Sequence, residues 1–376
     1  MPAQNTTRTQ PSAQPSTQPG ANYQAKPARR THRRLLAPPL AQKNGIDPIQ
    51  LILPYLEELP AELFPNSTAP ATIADYLFAR FYPNDPQIIH ARFDTGEVRL
   101  DDGTVLTSDS PYMPGERIWY FRELADEPEL PSDIPVLYED EHVLAIDKPH
   151  FLPTTPRGAY IAQTALTKLR VREQNPLLIP IHRLDRPTAG VLLFAKTVEA
   201  RRPFQMMFQH RQVSKTYRAV APVPADPAAA EQALSAEGLQ VRSHIQKIRD
   251  QLQVQQLSEE QCAAQGVEPN TLTTMKILRT FTPSAQAVEG WLAEPNREWA
   301  LYDLAPHTGK THQLRAHLNL LGSPILGDVL YPQVLPDAPD RPEYPLQLLA
   351  YSLHFEHPIT GEQVDLFSSR SLVAAS

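Results

Sequence analysis

Five apolar residues, Val191-Leu-Leu-Phe-Ala195, follow without a break from the polar and charged run Ile181-His-Arg-Leu-Asp-Arg-Pro-Thr-Ala-Gly190. A continuous apolar run this short predicts a strand covered on both faces, because a half-exposed strand alternates. The chain must therefore supply covering layers on both sides of that strand. The polar leader is held against the core at its end, where a side chain's position is well defined.

The rest of the pattern supplies those layers. Val136-Leu-Tyr and Val143-Leu-Ala-Ile flank Glu139-Asp-Glu-His142 and read as a hairpin, and Ala162–Arg172 carries Leu166 and Leu169 at helical spacing. A helix is predicted over Val198–Gln212 with Phe204, Met207 and Phe208 on one stripe. Strands are predicted at Lys215–Val220, Thr271–Phe281 and Trp299–Leu304. A further helix is predicted over Lys310–Leu321, with Leu314, His317, Leu318 and Leu321 inward and Gly322 as its C-cap. Helices and strands mix without a regular βαβ period, so the expected class is α+β with a mixed, largely antiparallel sheet. Residues 222–300 are loosely patterned and acidic and read as a possible insertion affecting access to the site. There is no internal repeat.

Upstream, residues 45–130 read as a small α/β accessory module. Thr72–Phe81 predicts a helix through Ile73, Tyr76, Leu77 and Phe81, Glu97–Gly103 a strand entering an Asp-Gly turn, and Arg117–Phe121 another strand. The proline- and acid-rich linker Glu127–Pro135 opens a larger domain, taken as 131–376. Residues 1–44 hold seven Lys/Arg and no acid, which leaves 28 of the 35 basic residues against all 42 acidic ones, a net of −14. That segment lacks apolar periodicity and is expected to be a disordered basic tail, read as a solubilising tail with RNA docking as the alternative, and its Arg-rich, acid-free composition also resembles an organelle transit peptide. An acidic body disfavours nonspecific nucleic-acid binding, so any RNA contact must use a local basic surface. One cysteine, Cys262, excludes an internal disulfide framework and a thiolate zinc cluster and fits a reducing compartment. No stretch approaches the ~18–20 apolar residues of a membrane helix. A cytoplasmic monomer is expected.

Three segments carry candidate chemistry. Asp185 sits in the polar leader, where an aspartate before Arg-Pro-Thr is ordinarily a turn former. In Lys215-Thr-Tyr-Arg-Ala219, alternation sends Lys215 and Tyr217 to one sheet face, and a strand tyrosine is ordinarily packing. Pro306-His-Thr-Gly-Lys-Thr-His-Gln-Leu-Arg-Ala-His-Leu318 predicts a basic first helical turn, with Arg315 beside the apolar stripe and within reach of a buried carboxylate. Gly309-Lys310-Thr311 mimics a P-loop ending, but the first glycine of that motif falls on Leu304, so no backbone cradle for phosphate forms. His307, His312 and His317 recur every five residues, which scatters them around a helix, and no HExxH occurs.

His182-Arg-Leu-Asp-Arg-Pro-Thr-Ala-Gly190 resembles the HRLDxxTSG signature of RluA-type pseudouridine synthases, with Ala189 where serine is commoner. Val136–Pro149, Lys215–Tyr217, Pro306–Leu318 with Gly322, Pro324-Ile325, Gly327-Asp328 and Tyr331, and His357–Gly361 resemble that family's other motifs in order, over residues 131–365. With Pro149–Pro153 and "GERIWYFREL", the likeness is closest to the branch assigned to tRNA and 23S rRNA. Residues 45–130 resemble the S4-type RNA-binding module, with a plain packing domain as the alternative. The resemblance implies an isomerase that converts uridine to pseudouridine without redox change or group donor, hence with no cofactor and no metal. It implies Asp185 as the essential carboxylate, as nucleophile or base, Arg315 paired with it, and Tyr217 stacked on the uracil. Arg183 would fill the place of the extruded base. Lys215, Lys310 and His312 are candidate RNA contacts. A noncatalytic RNA-binding or ribosome-assembly factor on the same scaffold is the alternative.

Overall fold

The computed structural model describes residues 38–64, 69–82, 84–124, 126–282, 291, 297–335 and 340–375. Residues 1–37 of the expected tail lie outside these. Leu40, assigned to the same tail, is buried with Trp119 and Phe121.

The first module forms its own sheet, β1 (Ile49–Ile52), β3 (Arg117–Tyr120) and β2 (Arg99–Leu100), antiparallel in that order. Two helices, α1 (Ile73–Phe81) and α2 (Pro86–Asp94), complete it. α1 starts where Thr72 and Asp75 exchange side-chain-to-backbone hydrogen bonds, both 3.0 Å, in a capping box. Ile73, Tyr76 and Leu77 enter a core with Ile89, Phe93 and Ile118, whereas Phe81, expected on the same stripe, is exposed.

Among the described residues the large sheet has eleven strands. Its path is β10 (Gln255–Ser258), β9 (Leu239–Gln246), β11 (Thr271–Phe281), β12 (Trp299–Pro306), β8 (Val213–Pro222), β13 (Leu348–Glu356), β7 (Ala189–Ala195), β5 (Val143–Lys148) and β4 (Val136–Glu139). Off that path, β14 (Gln363–Phe367) pairs with β13 and β6 (Ile179–Pro180) with β7. Among the described residues only β7 and β13 pair in parallel, so the sheet is mixed and largely antiparallel, as expected. β7 is buried along its whole length. Leu192 and Phe194 pack with Leu144, Ile146 and helix α3 (Ala165–Arg172) on one face. Val191, Leu193 and Ala195 pack with Val143, Ala145 and helix α4 (Val198–Gln209) on the other. The unbroken apolar run is the consequence of these two covering helices.

Where β7 meets β13, Gly190 pairs with Ala350 at φ +113°, and a Cβ there would lie 2.2 Å from the Ala350 carbonyl oxygen. Only glycine permits this approach. The neighbouring Ala189 is fully buried among Val220, Leu349 and Leu326, an apolar setting that explains a methyl in place of a hydroxyl.

Two helix starts differ from expectation. α3 begins at Ala165, because Thr164 is its N-cap, while the N–H groups of Ile161, Ala162 and Gln163 donate to the Glu127 carboxylate. Helix α7 runs Gln313–Leu320 rather than from Lys310. The Gln313 side-chain carbonyl accepts from the Lys310 N–H (3.1 Å) and the Thr308 hydroxyl (2.8 Å), which holds those residues as a turn. Residues 222–300 are more regular than their sequence suggests. In their described part α5 (Pro227–Leu234), β9, β10, α6 (Glu259–Gln265) and β11 build one end of the sheet. Among the described residues no helix is long and apolar enough to cross a membrane.

Candidate active site

Asp185 lies in the loop between β6 and β7, a third exposed. That loop is held by three side chains from the end of β5 and the segment after it. Thr154 donates its hydroxyl to the Leu184 carbonyl (2.9 Å) and accepts the Leu184 N–H (3.3 Å). His150 Nδ1 lies 2.6 Å from the Pro187 carbonyl, which accepts only, so this nitrogen carries the proton. Lys148 is fully buried and donates to the carbonyls of Pro149, Leu152 and Arg186 at 2.9, 2.7 and 3.2 Å. Burial pushes its ammonium down to about 7, against the pull of the nearby Asp185 charge. Three carbonyls match the three N–H bonds of the charged form. Sequence reasoning assigned none of these residues a role. The one available signal was a lysine ending an apolar strand.

The facing wall comes from β8 and α7. Arg315, 2% exposed, gives its Nε and Nη2 to the two oxygens of Asp328 at 2.7 and 2.6 Å. Its Nη1 stands 3.5 Å from the Asp185 carboxylate. The expected Arg315–Asp185 pair is therefore the looser contact, because the fully buried Asp328 takes the bidentate face. Asp328 also accepts the N–H groups of Leu330 and Tyr331. The guanidinium carbon lies 5.4 Å from the Tyr331 ring centre. His312, the N-cap of α7 at φ +54°, places Nε2 3.7 Å from Asp185 and Nδ1 3.2 Å from the Tyr331 hydroxyl. Burial lowers its pKa, and the Asp185 charge opposes that.

Tyr217 projects from β8 into the same cleft. Burial, and next the Asp185 charge, raise its phenol well above the usual tyrosine range, so it stays protonated at neutral pH. Lys215, two residues earlier on the same face, is pushed below the usual lysine range by burial and then by Arg211.

All seven sequence-predicted residues, Arg183, Asp185, Lys215, Tyr217, Lys310, His312 and Arg315, line one cleft of about 1470 Å³. Its lining carries five Lys/Arg, counting Arg211, and a single carboxylate, Asp185, in a chain of net charge −7. The basic surface is thus local to the cleft. Arg183 is exposed into it, whereas Arg186 is tied to Asp340 and stacks on Tyr160 at 4.8 Å. Among the described residues no three His, Cys, Asp or Glu side chains are placed to hold a metal ion.

A family model described as RNA pseudouridylate synthase matches residues 142–320, a span that holds Asp185, Tyr217 and Arg315. An uncharacterised RNA pseudouridine synthase of Synechocystis is 31% identical over 258 residues, covering 68% of this chain and 78% of that one. tRNA pseudouridine synthase C of Pasteurella multocida is 29% identical over 61% of this chain and 89% of its own. Ribosomal large subunit pseudouridine synthase D of Vibrio vulnificus is 28% identical over 72% and 78%. The chain belongs to the RluA-type RNA pseudouridine synthases, isomerases that act on RNA.

Proposed function

We propose that this enzyme isomerises specific uridines of tRNA or large-subunit rRNA stem-loops, with Asp185 as the essential carboxylate. The observation that carries the reading is a lone carboxylate beside a protonated tyrosine in a cleft where, among the described residues, the lining also carries five Lys/Arg. The reaction breaks the N1–C1′ bond, turns the uracil, joins C5 to C1′ and releases the C5 proton. Asp185 acts at the sugar as nucleophile or as base. Arg315, fixed by Asp328, offers Nη1 to the Asp185 oxygen and orients that carboxylate. Tyr217 stacks on the uracil and, holding its proton, is suited to donate rather than to act as a phenolate base. Arg183 occupies the place vacated by the extruded base, and Lys215, Lys310 and His312 contact the backbone or the substrate pocket. Relatives named for tRNA and for the large ribosomal subunit support both RNA classes. Residues 131–376 serve as the catalytic domain. Residues 45–130 serve as an accessory RNA-docking module, for which two helices beside a small sheet, as in an S4-type unit, are the support.

The test is tritium release from tRNA and 23S rRNA transcripts labelled at uridine C5, because C5 must lose its hydrogen for the new bond to form. Wild-type protein is expected to release tritium from one RNA class and Asp185→Asn to remain at background. Tight binding without release by folded wild-type protein would instead support a noncatalytic RNA-binding factor.

A further inference from the structure

α4 ends at Gln209, and the chain turns back into β8 through a bend closed by two bonds. The Arg211 N–H donates to the Phe208 carbonyl (3.2 Å) and the Gln212 N–H to the Met207 carbonyl (3.0 Å). Arg211 sits at φ +60°, a left-handed position where helices usually place glycine. An arginine at this position meets a backbone cost that glycine avoids, in return for a side chain at the mouth of the cleft.

Beside it, the half-buried Phe208 ring stacks on His182, with centroids 4.6 Å apart and planes 19° apart. His182 Nε2 accepts the Leu193 N–H (3.2 Å), which fixes the ring plane and leaves the proton on Nδ1. Burial pushes His182 down to about 3, so it supports Phe208 as a neutral plate. Lys215 extends towards the Gly309 turn, its Nζ 4.0 Å from where a Cβ on Gly309 would stand. The side chains of Arg211 and Lys215 have no hydrogen-bond or ion-pair partner among the described residues. Lys215 and Tyr217, two apart on one strand face, are separated by about 7 Å, the scale of one nucleotide in an extended chain.

We infer that Phe208 on its His182 backing, with Arg211 and Lys215, forms a second nucleotide subsite for a residue flanking the target uridine. Its base stacks on Phe208, and its phosphate is held by the two cations. An aromatic face with adjoining cations is the general means of holding single-stranded RNA without reading its sequence. The subsite rests on the reading of Asp185 as the reacting carboxylate, since that reading makes this wall a flank and not the centre.

The experiment is equilibrium binding of the full chain to a fluorescein-labelled single-stranded oligouridylate across a salt series, for wild type, Phe208→Leu and Arg211→Ala. Leucine keeps apolar volume against His182 but removes the aromatic face, and Arg211 is exposed, so both variants retain the fold. Phe208→Leu is expected to bind roughly tenfold more weakly at an unchanged salt slope. Arg211→Ala is expected to reduce the slope of log K against log salt by about 0.7, one phosphate contact on a single strand. Wild-type affinity in Phe208→Leu, an unchanged slope in Arg211→Ala, or no oligouridylate binding by wild type would each overturn the inference. Tritium release on the same preparations separates the two readings. An inactive wild type with these binding changes sinks the synthase proposal alone, and an active wild type without them sinks the subsite alone.

Discussion

At the scale of single residues, the site is organised by which buried charge meets which. Arg315 is almost wholly enclosed, so one contact to a partly exposed carboxylate would leave most of its donors unpaired. The enclosed carboxylate of Asp328 accepts from two of the three guanidinium nitrogens, and the third, Nη1, is left aimed at Asp185. Removing the charge of Asp328 leaves a buried guanidinium without its main counter-ion. Asp328→Asn is therefore expected to lower stability by about 3–5 kcal/mol, read as a lower urea midpoint, and to reduce tritium release as Arg315 loses its orientation. Wild-type stability in that variant would show that the bidentate pair is not what holds Arg315. Asp185, Tyr217 and Arg315 were each legible in the chain as motif residues. Asp328 stood in the motif too, but its role depends on being enclosed beside α7, which linear order does not encode.

At the scale of elements, the agreement and the differences share one cause. β7 was readable because both its faces are apolar, and β11 because its buried and open positions alternate from Thr271 to Leu278. The starts of α3 and α7 were misplaced because they are set by side-chain hydrogen bonds, from Thr164 and from Gln313, whereas apolar spacing continues past them. The hold on the Asp185 loop was invisible for another reason. Thr154 reaches Leu184 across 30 residues and Lys148 reaches Arg186 across 38, contacts that exist only once β5 and β7 pair. That pairing ends at Lys148 opposite Gly190, where β13 also closes in. Gly190→Ala is expected to separate β7 from β13 and destabilise the protein by about 3 kcal/mol, with loss of activity because the Asp185 loop ends there. A thermal melt matching wild type would show that the strands yield without cost.

At the scale of the whole molecule, two distributions matter: charge, and imidazoles buried in the neutral form. The chain is acidic, yet its cleft gathers five Lys/Arg around one carboxylate, so the cleft offers a basic surface against the sign of the net charge. His150 and His317 are pushed by burial down to about 4, and His182 to about 3, from an ordinary 6.5. The unfolded chain takes up these protons more readily than the folded one. Their stabilisation is therefore complete above about pH 6.5 and lost as pH falls towards 4. His317, fully buried among the hydroxyls of Ser243, Thr271 and Thr273, accounts for roughly 3 kcal/mol of that loss. The urea midpoint of wild type is expected to fall between pH 7 and pH 4.5, and that of His317→Gln to fall less over the same interval. Equal falls would place the acid sensitivity elsewhere.

The sequence by itself determined the α+β class, the strands with a strong apolar pattern, and the seven residues that meet in the cleft. The class and the strands follow from local spacing, and the seven residues from motifs that resemble those of a known family and from side-chain charge, signals that linear order carries in any arrangement of the elements. Tertiary structure alone decided that Arg315 is held chiefly by Asp328, that Lys148, His150 and Thr154 fix the Asp185 loop, and that the described part of residues 222–300 continues the sheet. It also set Phe208 on His182 beside Arg211. Each is a choice of partner between segments far apart in the chain, made by burial and hydrogen-bond geometry once the strands have paired.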